Sequence, residues 1–70
     1  MSAERISEFL ERYPFQPFRI RFANEAPVDV YNPALVVLKQ RELFVANWTR
    51  DYFHLYWLTD VVEIEALHAA

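Results

Sequence analysis

The 70-residue chain contains no cysteine and no glycine. Without cysteine there is no disulfide and no thiolate metal site, so a small core must hold the fold by packing alone or with a partner subunit. Without glycine, every sharp turn is made by residues that carry a Cβ. Asn24, Asn32, Asn47 and Asp51 are the positions expected to adopt left-handed conformations, unless the turns avoid them. Uninterrupted apolar runs are short, far below the roughly 20 residues of a membrane-crossing helix. Glu4, Glu8 and Glu11 stand where a secretory signal needs an apolar stretch, so a cytoplasmic protein is expected. Basic residues are outnumbered, with 7 Lys and Arg against 10 Asp and Glu and a net charge of −3. That balance opposes non-specific attraction to nucleic acid or to anionic membrane.

What the chain has in quantity is apolar surface: 54% of its residues are apolar and 17% aromatic. A chain of this length buries only about 60% of the surface its unfolded form exposes. Part of that apolar area is therefore expected to meet another subunit or a ligand. The stretch Tyr52 to Leu67, YFHLYWLTDVVEIEAL, is the most informative. Read as extended chain, Phe53, Leu55 and Trp57 point one way, and His54, Tyr56 and Leu58 the other. A strand apolar on both faces needs cover on both.

At the N-terminus, Ile6, Phe9, Leu10 and Tyr13 recur at helical spacing and predict a helix over residues 3–13. Ser2 is its expected N-cap, and Pro14 its terminator, because the residue before a proline resists the α conformation. Phe18, Ile20 and Phe22 alternate with Arg19 and Arg21, the plainest strand signal in the chain. Strands are predicted at residues 18–23, 27–31, 35–39, 42–48, 52–58 and 62–66, with a break at Asn32-Pro33 and a bend at Thr59-Asp60. The whole reads as one α+β domain over residues 1–70. Its N-terminal helix packs on a strongly bent five- or six-stranded antiparallel sheet of small-barrel type. If first and last strands are neighbours, Arg19 and Arg21 face Glu63 and Glu65.

Two resemblances follow from these patterns. Pro17-Phe18-Arg19-Ile20, Asn32-Pro33 after the second strand, and the terminal Asp60-Val61-Val62-Glu63-Ile64-Glu65 resemble a group of short bacterial proteins that carry no assigned activity. The order of helix, Phe18 to Ala23 with an Asn-containing turn, and terminal strand-bend-strand resembles the bacterial Sm-like RNA chaperones, and more broadly the SH3-like small barrels. The Asn-Gly turn of the Sm-like family is Asn24-Glu25 here. Its Lys-His pair, which helps bind uridine-rich RNA, falls near Trp57-Leu58. The resemblance thus implies the fold and does not carry over the RNA chemistry.

Reactive groups are few. The serines are Ser2 and Ser7, and the histidines His54 and His68. Asp51 with His54 is the one acid–base pair that spacing allows, and neither it nor His68 with Glu65 has the spacing of a dedicated metal site. No catalytic residue, metal or cofactor is assigned. The preferred reading is a non-enzymatic interaction module that self-associates or binds another protein. Trp48, Tyr52 and Tyr56 are the candidate interface, since Trp and Tyr join large apolar area to a polar handle. The alternative is single-stranded nucleic-acid binding, with bases stacked on those aromatics and Arg19, Arg21 and Arg50 on phosphates.

Overall fold

A computed structural model of the chain describes residues 3–47 and 51–67. Ser2, Trp48, Arg50 and His68, named above, lie outside the described residues. The chain forms a helix α1 (Ala3–Leu10), strands β1 (Phe18–Phe22) and β2 (Val28–Val30), a 3-10 turn (Pro33–Leu35), β3 (Val36–Leu38), β4 (Glu42–Asn47), β5 (Tyr52–Trp57), a second 3-10 turn (Leu58–Asp60) and β6 (Val61–Ala66). All pairings are antiparallel, in two three-stranded sheets ordered β2-β1-β6 and β3-β4-β5.

This corrects the expectation of one bent sheet. The division falls at Asn32-Pro33. Pro33 has no N–H to give a ladder and sits at the start of the 3-10 turn, where that loss costs nothing. The Asn32 side chain accepts a hydrogen bond of 2.9 Å from the Ala34 N–H and fixes the turn. The chain therefore leaves the first sheet at Val30 and enters the second at Val36. A similar handover joins β5 to β6. Leu58, expected as the end of β5, instead opens the second 3-10 turn and is buried. Its N–H donates to the Arg41 carbonyl, while the Asp60 carbonyl accepts from the Ala23 N–H, each at 2.9 Å. These two bonds tie the turn to both sheets.

The helix is shorter than its periodicity suggests, ending at Leu10 instead of residue 13. Ile6 and Phe9 are buried and Leu10 is partly so, but Tyr13 is almost fully exposed. The Arg12 guanidinium lies over the Phe9 ring, 4.2 Å from its centroid. Phe9 packs inward against Phe18, with ring centroids 5.3 Å apart.

The core joins α1 to both sheets: Ile6 and Phe9, then Phe18, Ile20, Phe22, Val30 and Val61 from the first sheet, then Leu43 and Leu58. The alternation in β1 is strict, with Phe18, Ile20 and Phe22 buried and Arg19 and Arg21 between them half-buried on the outer face. First and last strands are indeed neighbours, in a register that sets Arg19 opposite Glu65 and Arg21 opposite Glu63, with a bulge at Arg21/Phe22. Without glycine, one positive φ is found among the described residues, at Asp51 (53°), a residue type that tolerates the left-handed region. Asn32 is extended.

Candidate functional site

The outer face of the first sheet is a closed set of ion pairs. Arg19 donates to Asp29 through Nε at 2.6 Å and Nη2 at 3.1 Å, a bidentate arrangement that matches the planar guanidinium to the carboxylate. Arg21 donates to Glu65 Oε1 through Nε at 3.1 Å and Nη2 at 2.8 Å. Glu65 also lies 3.8 Å from Arg19, and Glu63 lies 3.9 Å from Arg21. Arg21 thus bonds the diagonal carboxylate more closely than the one directly opposite, a distance its long side chain spans. The side-chain hydrogen bond to Arg19 holds the Asp29 carboxyl below its ordinary value of 3.8, against a smaller opposing effect of burial. The same bond raises the Arg19 guanidinium above its ordinary value. Two of the three candidate phosphate contacts, Arg19 and Arg21, are therefore engaged with carboxylates.

The second sheet has an inner and an outer face of different character. On the inner side, Val36, Leu38, Val45 and Tyr56 pack around the core. Tyr56 is stacked on Phe22 at 4.3 Å, and His54 is stacked on Tyr56 at 4.4 Å. His54 Nε2 lies 3.4 Å from Glu25 in the turn between β1 and β2, so this column reaches from one sheet to the other. Burial, then the nearby charges of Glu25 and Tyr52, pushes the Tyr56 phenol above its ordinary value of 10.0. A polar recess of about 220 Å³ lies here, bordered by Asp29, Val45, Tyr52 and His54.

On the outer side the register lines up Val37, Phe44 and Leu55 across the three strands, with Ala46 opposite Phe53 and Glu42 opposite Trp57. Val37, Phe53, Leu55 and Trp57 are all exposed, Phe53 the most at 68%. A cleft of about 360 Å³ opens at one end of this face, between Leu35, Val37, Ala46 and Phe53.

Of the candidate interface residues, Tyr52 and Tyr56 share the inner parity of β5 and border the same recess, and Trp48 lies outside the described residues. Tyr52 is exposed at the start of β5, and Tyr56 is half-buried against Phe22. The residues that the structure leaves uncovered are Phe53, Leu55 and Trp57, on the opposite parity of the same strand. Period-2 alternation groups these three together, but which parity faces the core depends on where the helix and the first sheet lie. Glu25 beside His54 had no sequence signal, since the two are joined only by the approach of the sheets.

Among the described residues, no group of three or more His, Cys, Asp or Glu could hold a metal ion; His68 lies outside them. Nor is any helix among them long and apolar enough to cross a membrane. No family model matches the chain, and neither a curated protein nor a solved structure matches it.

Proposed function

We propose that the protein is a non-enzymatic interaction module that associates with itself. The observation that carries this reading is the uncovered outer face of β3-β4-β5, where Val37, Phe53, Leu55 and Trp57 stand in solvent together. Their exposed area is on the order of 400 Å², within the size of apolar patch that marks interaction surfaces. The interface accordingly includes the other parity of β5, with Tyr52 at its margin.

The run of six short antiparallel strands and the 3-10 turn before β6 support a small-barrel character of the Sm-like or SH3-like kind. In this reading the chain is a cytoplasmic homo-oligomer. Single-stranded nucleic acid is the second reading, and the occupied state of Arg19 and Arg21 weighs against it. Sedimentation of the full chain at tens of micromolar, in the range where a modest interface is populated, tests the first reading. An assembly larger than the 8.4 kDa monomer is expected, and a monomer at every concentration removes it. In parallel, labelled single-stranded RNA and DNA at low salt are expected to show no retention. Retention that weakens steeply with salt would put nucleic-acid binding first.

A further inference from the structure

Phe44 lies on the same outer face as Leu55 and directly beside it, yet Phe44 is half-buried while Leu55 is exposed. The difference is lateral. Phe44 has Val37 on one side and Leu55 on the other, whereas Leu55 has a neighbour on one side alone. The inner parity of β5 behaves alike: Tyr52 and His54 are exposed although they face inward. What β5 lacks, among the described residues, is a second neighbouring strand on its outer edge.

The other edges are guarded and β5 is not. Strands β2 and β3 are three residues long, the first preceded by Pro27 and the second led in by Pro33, and short or proline-flanked edges resist pairing. Strand β6 carries Glu63 and Glu65, which would meet like charges in a second β6. Strand β5 is six residues long and contains no Lys, Arg, Asp, Glu or Pro. Among the described residues no strand pairs with its outer edge.

The geometry points to a second copy of this chain as that neighbour, paired antiparallel β5 to β5 about a two-fold axis at Leu55. This deepens the proposed self-association and rests on it. An antiparallel two-fold keeps each face intact only when it is centred on a residue. Centred on Leu55, it places Leu55 opposite the partner's Leu55 and Phe53 opposite the partner's Trp57, twice over. His54 then faces the partner's Tyr56. Centring on His54 instead leaves Trp57 with no strand partner. The Leu55 register extends the row Val37–Phe44–Leu55 across six strands of one sheet. The uncharged strand lets two copies, each of net charge −3, meet without bringing acids together. A single strand pair buries less than the roughly 800 Å² per partner of a tight complex, so the dimer is a weak one, formed at micromolar concentrations or above.

The test uses the full chain and three variants. Sedimentation equilibrium from about 1 μM to 1 mM should fit a monomer–dimer scheme whose limit is twice 8.4 kDa. With no native cysteine, Leu55→Cys under mild oxidation should yield a disulfide-linked dimer, since directly opposed Cβ atoms lie about 4.5–5.5 Å apart. Val62→Cys, exposed on β6, should not. Leu55→Lys, with its far-ultraviolet circular dichroism unchanged, should raise the dissociation constant at least tenfold. A monomer at all concentrations overturns both this pairing and the self-association on which it rests. Assemblies larger than two, mixed disulfides between the Leu55→Cys and Val62→Cys proteins, or undiminished dimerisation of Leu55→Lys overturn the β5–β5 pairing and leave self-association standing.

Discussion

The residues that most resemble a ligand-binding set, Arg19 and Arg21, are held by carboxylates from β2 and β6, and this has a consequence for acid stability. The Asp29 carboxyl lies below its ordinary value of 3.8 because Arg19 donates to it. As pH falls, the unfolded chain therefore takes up this proton first. The stabilisation from the pair is complete above about pH 4 and is lost as pH falls through the lowered folded value. The denaturation midpoint of Asp29→Asn should lie below that of the wild type at neutral pH, with the gap closing in acid. A gap independent of pH would show that the pair is not the cause. Tyr56 has the opposite sign. Its phenol is raised above 10.0 by burial against the sheet, so the unfolded chain loses the proton first and stability falls as pH rises past about 10. Difference absorbance between wild type and Tyr56→Phe should show one phenol titrating above the ordinary range.

Among the elements, α1 shows how far local propensity reaches. An eight-residue helix is not stable alone in water, and its hold on the protein is Ile6 and Phe9 set into the core. Ile6 is fully buried, so Ile6→Ala should cost about 2–5 kcal/mol, read as a lowered denaturant midpoint. Tyr13→Ala, at a position 99% exposed, should leave that midpoint unchanged. Equal losses from the two variants would mean that the helix runs on to Tyr13 in solution. The strands show a complementary principle. Their edges are ended by proline, by shortness or by paired acids, and β5 is left as the long neutral one.

For the whole molecule, two sheets share one small core, which α1 covers at one end while the outer side of β3-β4-β5 stays bare. Among the described residues nine buried side chains form that core, a small number for a chain without disulfides. The proposed association would add to stability by mass action, because only the folded chain presents β5. The thermal midpoint should rise by about 3–6 °C between micromolar and millimolar protein, given the steep response of a domain this size to small free-energy changes. A midpoint independent of concentration would place the whole stability in the monomer.

The sequence by itself determined the elements that a local rule can write. Alternation set Phe18, Ile20 and Phe22 inward and Arg19 and Arg21 outward. Asn32-Pro33 marked a break, and the neutral run at Tyr52–Trp57 marked surplus apolar surface. These rest on period, on the missing proline N–H and on composition, which need no knowledge of distant residues. Only the tertiary structure decided that the break parts two sheets instead of bending one, that the helix stops at Leu10, and that Phe53, Leu55 and Trp57 remain uncovered while Tyr56 turns toward Phe22. The physical reason is the same in each case. A strand with apolar side chains on both faces carries no local preference for which face is buried, and the choice falls to whatever else the chain can bring against it.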